Sequence, residues 1–464
     1  MNMTLRKLAV LLMSCLLFFM VACTSGGAGS EQPSGETEKP AETEAPAQNN
    51  TEKPAEQPAE AEKPKDPIEL RVGILTDGMA ESNEPLAKAF QAKYPHVTVK
   101  FEPANTGDYR GKILTQAASG DLPDVVFVID AFLRDFAAAG VLAELDGLLA
   151  DNGVNIDEIY PGMRKISQMN DKLYMAPVGY THIVTFVNKT LLENEGIPMP
   201  DNNWTWEQFL DIAKKVTKTD AKGNATQWGL LTDSAWEAMW TPFLLGRGGS
   251  PVDLANKKVT LTDPLVVQGL KDFYDLTVEG YAVDLWAPIK PEGEHSFENG
   301  KFAFTFGTKG SDIAINKAFE EKGLEWDVLP FPELPEKRVT FAGTAGFGVY
   351  AKAKYTEEAA AFVSFVLSQE WQKTLAAQGD TIPVLQSLAN EESWRNSPVP
   401  GKNADAYVSF PEADILSVFV DVPLEAANEA KGKLIEARNN YMTNAASLED
   451  GLKIAEEAAN AKWK

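Results

Sequence analysis

The clearest periodic pattern along the chain is a run of apolar residues at every second position from Ile68 to Ile74. Such alternation predicts a strand with one buried face. The polar residues and glycine at 76–78 break the pattern, and a helix is predicted to begin at 83–85. A second alternating strand follows at 97–101. Strand and helix therefore alternate in this part of the chain.

A third apolar run, at 125–129, has no alternation, which is typical of a strand buried on both faces. The helix before it is predicted to end at Gly120. The order strand, helix, strand, helix, strand predicts a parallel, twisted α/β sheet. Asp130 follows the third strand, and ligands of open α/β sheets bind outside the carboxyl ends of the strands. Asp130 is thus a candidate ligand contact, and the alternative is that it caps the next helix.

Helices also recur in the middle of the chain. Thr205 and Gln208 have the spacing of a capping box at a helix start. Residues 233–245 predict a helix that carries Trp236 and Trp240 on one face, because the two residues are four positions apart. Each tryptophan is a candidate ligand contact, with packing in the core as the alternative.

The C-terminal part continues the alternation. A glycine turn at Gly300 precedes a predicted strand, and residues 343–350 predict a flexible loop that feeds another strand. Thr356 is predicted to cap a long helix that ends at Gly379. Two further helices are predicted at 424–442 and 447–461.

Composition limits the possible functions. A chain of 464 residues with 44% hydrophobic residues is longer than one hydrophobic core usually supports, so two lobes are predicted. The net charge of −24 argues against a nucleic-acid surface and against an anionic membrane face. The sequence has no zinc-type histidine spacing, no nucleophile elbow and no phosphate-binding loop. We therefore expect no catalytic site, no metal and no cofactor.

The first 22 residues have the layout of a secretory signal. Two basic residues precede an apolar run at 8–21, which is too short to cross a hydrocarbon core of about 30 Å as a helix. Residues 20–23 resemble the bacterial lipoprotein signal, which implies removal of 1–22 and lipidation of Cys23. The alternative is an ordinary signal peptide with a chance cysteine. The other cysteine, Cys15, would be removed, so no disulfide is expected.

Residues 23–66 are rich in Glu, Pro, Thr, Ala and Lys and show no hydrophobic periodicity. Such a segment cannot bury a core, so it is predicted to be disordered. A flexible chain of this length spans about 35–40 Å root-mean-square. We expect a tether that holds the folded part clear of a membrane.

Several short stretches of the folded part together resemble the extracellular solute-binding proteins of carbohydrate ABC importers, a family that includes maltodextrin binders. They lie at 122–126, 188–189, 205–209, 297–303, 379–383 and 447–452. The resemblance implies an α/β, two-lobed periplasmic-binding-protein-like fold (type II), with a ligand cleft between lobes joined by a multi-strand hinge. Lobe 1 is placed at 67–178 and 342–392, and lobe 2 at 179–341 and 393–464.

The resemblance also implies which residues contact the ligand. They come from both lobes and from the bridge between them: Asp77, Asp130, Thr344, Tyr180, Trp236, Trp240, Gly307 and Asp414. Two positions depart from the family pattern, because Val128 and Lys309 stand where aromatic residues are frequent. A lysine at 309 could donate to sugar hydroxyls or pair with a ligand carboxylate, and the alternative is that it extends into solvent. The departures argue against a long α-glucan as ligand.

The expected function is that of a substrate-binding lipoprotein that captures a sugar or oligosaccharide and delivers it to an ABC transporter. Its partners would be the permease and ATPase subunits, with contact to the membrane through the lipid anchor only. The protein is expected to be a monomer outside the cytoplasm, without enzyme activity or nucleic-acid binding. Two alternatives are a secreted glycoside hydrolase, which also needs a cleft with carboxylates, and a surface adhesin without hinge closure.

Overall fold

A computed structural model describes residues 65–379, 381–409, 414–415 and 418–463, with the backbone alone at 414 and 415. The strands of the described part alternate with helices from Ile68 onward. They are β1 (Ile68–Ile74), β2 (Val97–Pro103), β3 (Val125–Ile129), β4 (Gln168–Met169), β5 (Lys172–Leu173), β6 (Ala176–Pro177), β7 (Thr181–His182), β8 (Val184–Asn188), β9 (Lys218–Thr219), β10 (Ala225–Thr232), β11 (Val252–Asp253), β12 (Lys258–Val259), β13 (Ala282–Asp284), β14 (Phe302–Gly307), β15 (Trp326–Pro330), β16 (Thr340–Gly343), β17 (Ala345–Val349) and β18 (Asp414–Ile415).

The α-helices of the described part are α1 (Asp77–Lys93), α2 (Tyr109–Ser119), α3 (Asp130–Ala138), α4 (Asp146–Asp151), α5 (Pro161–Ile166), α6 (Lys189–Asn194), α7 (Trp206–Val216), α8 (Glu237–Gly246), α9 (Pro264–Val278), α10 (Asp312–Lys322), α11 (Thr356–Val366), α12 (Gln369–Ala377), α13 (Glu392–Arg395), α14 (Leu424–Met442) and α15 (Leu448–Lys462). Short 3₁₀ turns occur between them, including one at Lys309–Ser311 and one at Ala404–Val408.

A five-stranded sheet in the order β2-β1-β3-β17-β6 organises the N-terminal part of the fold. β1 pairs in parallel with β2 and β3, whereas β17 is antiparallel to both β3 and β6. Val125 to Val128 of β3 are buried, as expected for a strand with covered faces. On one side Phe90 of α1 packs edge-on against Phe362 of α11, with ring centroids 5.2 Å apart.

A second sheet, of six strands, has the order β13-β10-β14-β8-β15, with β9 paired to β10. β10 is parallel to both β13 and β14, and β8 is antiparallel to β14 and β15. Phe209 of α7 stacks on Phe304 of β14 with ring centroids 5.0 Å apart. The C-terminal helices α14 and α15 pack closely, and a Cβ added at Gly451 would lie 2.6 Å from the Cβ of Ala437.

A small three-stranded sheet, β18-β16-β7, lies where the chain passes between the two larger sheets. β7 follows β6 of the five-stranded sheet and precedes β8 of the six-stranded sheet, while β16 leads into β17. Thr344 lies between β16 and β17, and its hydroxyl donates to the carbonyl of Gly179. The two passages of the chain are therefore joined by a side-chain hydrogen bond as well as by strand pairing.

Most predicted elements are confirmed, and the differences have local causes. α1 begins at Asp77 rather than at 83–85, because the Thr76 hydroxyl accepts from Met79 N and caps the helix there, and Pro85 lies inside it. α8 begins at Glu237, so Trp236 is its N-cap residue and not part of the helix. The predicted loop at 343–350 is mostly strand β17.

The predicted long helix from Thr356 to Gly379 is divided into α11 and α12. The division lies at Ser368, whose hydroxyl accepts from Trp371 N and starts α12 as an N-cap. Gly379, with a φ of +91°, follows the second helix, as expected for a left-handed residue at a helix end.

Several predictions lie outside the described residues. These are the signal peptide at 1–22, the lipidated Cys23, nearly all of the tether at 23–66, and the side chain of Asp414. Within the described ranges, no helix is both long and apolar enough to cross a membrane. The lobe boundaries predicted above remain a prediction.

Candidate ligand-binding cleft

Polar residues follow the parallel strands of the five-stranded sheet at one edge. Asp77 comes shortly after β1, Asn105 after β2, and Asp130 directly after β3. Asn105 Nδ2 donates to Asp77 Oδ2 at 3.0 Å, and Asp77 N donates to Asn105 Oδ1 at 3.2 Å. Asn105 has a φ of +47°, which is uncommon for a residue other than glycine. Asn105 was missed from the sequence, although its place just after an alternating strand matches that of the two aspartates.

The carboxylate of Asp130 is held by backbone donors. Ala131 N donates to Oδ1 at 2.7 Å and Thr344 N donates to Oδ2 at 3.3 Å. Burial raises the pKa of Asp130 above its usual value, while these two backbone hydrogen bonds oppose the shift. Asp130 is the first residue of α3, whose N-cap is Ile129. The alternative that Asp130 caps this helix is therefore wrong, because the cap position belongs to Ile129 and no side chain caps the helix. The ligand contact at Asp130 stays a prediction.

The six-stranded sheet also presents its carboxyl edge. β10 ends at Thr232, and the loop after it carries Trp236, whose side chain is 41% exposed. Glu237 follows at the first turn of α8, and its carboxylate pairs with Lys431 of α14. Trp236 therefore keeps part of its surface accessible for contact.

One cavity of about 310 Å³ brings residues of both sheet edges together. Asp130, Phe132 and Arg134 line it from the start of α3, and Trp236 and Glu237 line it from the start of α8. We call this cavity the cleft. Its remaining walls are Phe341 of β16 and residues around the start of α14, including Phe419, Val422 and Lys431. Arg134 Nε donates to Asp421 Oδ1 at 2.6 Å, which joins α3 to the segment before α14.

The other predicted ligand contacts are placed differently. Tyr180, Trp240 and Gly307 are buried. The Tyr180 ring stacks on His182 of β7 with centroids 5.4 Å apart, and Trp240 belongs to the core around the six-stranded sheet. Asp77 is exposed beside Asn105. The structure therefore brings Asp130, Thr344 and Trp236 close to one cavity, and the ligand contacts themselves stay predictions.

Lys309 differs from both alternatives considered for it. Its side chain neither reaches the cleft surface nor extends into solvent, because the residue is only 3% exposed. Lys309 Nζ donates to Asp312 Oδ2 at 3.1 Å and lies 5.1 Å from the centre of the Tyr407 ring. The Tyr407 hydroxyl donates to the other carboxylate oxygen of Asp312. The charge of Lys309 is therefore paired with Asp312.

The cleft combines groups that suit a neutral polyhydroxylated ligand. A ring face at Trp236 can cover an apolar C–H surface, and the carboxylates of Asp130 and Glu237 can accept from hydroxyls. Within the described part of the chain, no group of His, Cys, Asp or Glu side chains could hold a metal ion.

Two α/β units, joined by several strand passages and enclosing a cavity between the carboxyl edges of their sheets, define a two-lobed solute-binding protein. Residues 73–373 match the family model described as bacterial extracellular solute-binding protein. The chain belongs to this family. This confirms the membership and the fold class that the short sequence stretches implied.

Proteins with similar sequences agree with this assignment. The diacetylchitobiose binding protein DasA of Streptomyces coelicolor is 26% identical over 310 residues, which is 65% of this chain and 70% of that protein. A putative ABC transporter periplasmic-binding protein of Escherichia coli, YcjN, is 23% identical over 328 residues, or 68% of this chain and 72% of that protein.

Solved structures share the fold. The sugar-binding protein MalE of Xanthomonas citri superposes with a TM-score of 0.74 at 16% identity, covering 85% of this chain and 97% of that one. An ABC substrate-binding protein of Listeria monocytogenes in complex with cycloalternan has a TM-score of 0.69 at 21% identity, covering 86% of this chain and 99% of that one.

Proposed function

We propose that this solute-binding protein captures a sugar or oligosaccharide in the cleft and delivers it to the membrane permease of an ABC transporter. The observation that carries the proposal is the meeting of Trp236 and Asp130 at one cavity, each from the carboxyl edge of a different sheet. An aromatic face and a carboxylate on opposite sides can contact the C–H face and the hydroxyls of one sugar ring.

Closure of the lobes follows from this arrangement. A ligand that contacts both sheet edges gains contacts that exist only when they approach, so it favours the closed state. The passages at 177–181, 341–343 and 390–397 are the hinge in this proposal. Lobe 1 at 67–178 and 342–392 and lobe 2 at 179–341 and 393–464 then move against one another, and the transporter subunits bind the closed form.

The ligands of similar proteins support a sugar as ligand. DasA binds diacetylchitobiose, and another related structure is a receptor of Streptomyces glaucescens determined with acarbose. Among the predicted contacts, we assign direct roles to Asp130 and Trp236, which line the cleft. Thr344 is buried, and its backbone N–H would hold the Asp130 carboxylate in place. Asp77, exposed beside Asn105, stays a candidate. Tyr180, Trp240 and Gly307 are buried and would pack beneath the residues that line the cleft. Asp414 remains a candidate ligand contact. Lys309 is not included, because its charge is already paired.

The place of action is proposed to be the outer side of the cell membrane. Removal of residues 1–22 and lipidation of Cys23 would leave the protein anchored by lipid alone, as a monomer tethered through 23–66. No cofactor, metal or nucleic acid is part of this proposal. We also propose that the protein has no enzyme activity; the glycoside hydrolase alternative predicts release of sugar from oligosaccharides, which we expect to be absent.

The test is calorimetric titration of the mature protein with mono- and oligosaccharides, beside thermal melts of Trp236→Ala and Trp240→Ala. We expect Trp236→Ala to weaken binding by about 2 kcal/mol or more, as for aromatic anchors, with little change in melting temperature. Trp240 is buried, so its change should cost about 3–5 kcal/mol of folding stability. Normal binding by Trp236→Ala would contradict its assigned role.

A further inference from the structure

Trp286 is a large apolar side chain to which the proposed function gives no role. It follows β13 and is 61% exposed. A single exposed apolar side chain is not by itself a site, so the case for Trp286 rests on where its loop lies. This loop follows β13, at the edge of the six-stranded sheet that also carries the loop of Trp236.

The loops of Trp236 and Trp286 begin side by side. β10 and β13 are parallel neighbours, and Thr232 at the end of β10 pairs with Asp284 at the end of β13. Trp236 is four residues beyond Thr232, and Trp286 is two residues beyond Asp284. Both tryptophans therefore leave the same carboxyl edge of the six-stranded sheet, from adjacent strands.

A single buried carboxylate holds the two loops together. Asp284 is 1% exposed, and its Oδ1 accepts from Ser234 N at 3.1 Å and from Trp286 N at 3.0 Å. Its other oxygen accepts from the Ser234 hydroxyl. The backbone of Trp286 is thus bound to the same oxygen atom as the backbone of the Trp236 loop.

A buried guanidinium also binds both loops. Arg438 of α14 is 4% exposed, and it donates to the Ser234 hydroxyl and to the carbonyl of Trp286, the latter at 3.2 Å. Burying charged groups costs free energy unless hydrogen bonds compensate. Here the compensation comes from the two loops that carry the tryptophans and from Asn439 beside Arg438. The buried network thus ties the two loops to each other and to α14.

We propose that Trp286 is a second aromatic face of the binding site, and that the ligand is an oligosaccharide of at least two rings that extends from Trp236 to Trp286. The inference rests on the proposed function and specifies its substrate class. One ring packs at Trp236 in the cleft, and the next ring packs on the exposed face of Trp286. Of the two tryptophans, a monosaccharide contacts only Trp236.

The experiment is calorimetric titration of the mature wild type and of Trp286→Ala with sugars of one to four rings from the gluco, N-acetylglucosamine and xylo series. We expect affinity to rise from one ring to two in the series that binds. Trp286→Ala should weaken binding of two or more rings by about tenfold, as loss of an aromatic contact does, and leave the monosaccharide unchanged. Trp286→Phe should restore part of the loss.

Ile454→Ala is the matched control, because Ile454 is a comparably exposed apolar residue on α15, and it should bind every sugar as the wild type does. Thermal melts of Trp286→Ala should match the wild type, since an exposed ring adds little to the core. Equal affinity of Trp286→Ala and wild type for all lengths would overturn the inference, and so would an equal loss for monosaccharides. A wild type that binds only monosaccharides overturns this inference alone, whereas one that binds no sugar overturns the proposed function.

Discussion

Lys309 and Asp312 form an ion pair that is almost wholly buried. The pair is satisfied further by the Tyr407 hydroxyl, which donates to Asp312. Burial raises the pKa of Asp312, and the neighbouring charge of Lys309 opposes that shift. Removing one member of a buried pair leaves the other charge uncompensated, which costs more than the pair itself contributes.

We therefore expect Lys309→Met to lower the free energy of unfolding by about 3–5 kcal/mol, without a direct effect on ligand affinity. Urea denaturation measures the first quantity and calorimetric titration the second. Lys317→Met on the exposed face of α10 is the control, and it should be nearly neutral. A stable Lys309→Met protein with weakened binding would return Lys309 to the ligand site.

His182 is a second buried titratable residue, located on β7. Its Nδ1 lies 3.1 Å from the carbonyl of Tyr407, and burial lowers its pKa to about 4. The unfolded chain binds a proton near the ordinary pKa of histidine, about 6.5, so the native state binds fewer protons between these values. His182 thus favours the unfolded state increasingly as the pH falls through this range.

The expected outcome is a loss of stability, on the order of 3 kcal/mol from this one group, as the pH falls from about 6.5 to 4. Urea denaturation at several pH values measures it. His182→Gln should show a smaller pH dependence than the wild type, whereas His295→Gln, at a more exposed site, should not. Identical pH profiles for wild type and His182→Gln would contradict the prediction.

At the scale of elements, close packing of α14 on α15 shapes the C-terminal part of the fold. Gly451 of α15 faces Ala437 of α14, with no room for a Cβ between them. Gly432 lies on the same helix pair, but an added Cβ there would meet nothing within 4 Å. The two glycines therefore offer a matched comparison of packing against helix propensity.

We expect Gly451→Ala to destabilise the protein by about 1–3 kcal/mol, since overpacking forces helices apart. Gly432→Ala should instead stabilise it by up to about 1 kcal/mol, because glycine is a poor helix former. Chemical denaturation measures both. Stabilisation by Gly451→Ala would show that the helices can separate without cost.

At the scale of the whole molecule, the net charge of −24 disfavours adsorption to an anionic membrane surface. The proposed attachment to the membrane would then depend on a lipid and not on charge. A diacylglyceryl-modified cysteine supplies at least two chains, and two chains anchor stably where one does not. The proposed lipidation of Cys23 is consistent with this requirement.

Cys23→Ala is expected to abolish incorporation of labelled palmitate and to release the protein from the membrane fraction or leave its signal uncleaved. Cys15→Ala is the control, because this residue lies within the segment that we propose is removed, and it should leave labelling intact. A wild-type protein without label would contradict the lipoprotein assignment.

The sequence by itself determined most of the secondary elements and their order. Periodicity and turn residues are local properties, so β1, β3, the capping box at Thr205 and the two C-terminal helices could be predicted from short stretches. Family membership followed from similar short stretches. The position of Asp130 could also be predicted, because a residue directly after a buried strand lies at the carboxyl edge of the sheet.

Only the tertiary structure decided which side chains meet. Tyr407 lies 95 positions from Asp312, and Arg438 lies 204 positions from Ser234 and 152 from Trp286. No local pattern encodes such pairings, because they depend on how the two sheets and α14 pack. The same packing decides which side chains are buried. It buries Lys309 in an ion pair with Asp312 and leaves Trp286 exposed on the loop next to that of Trp236.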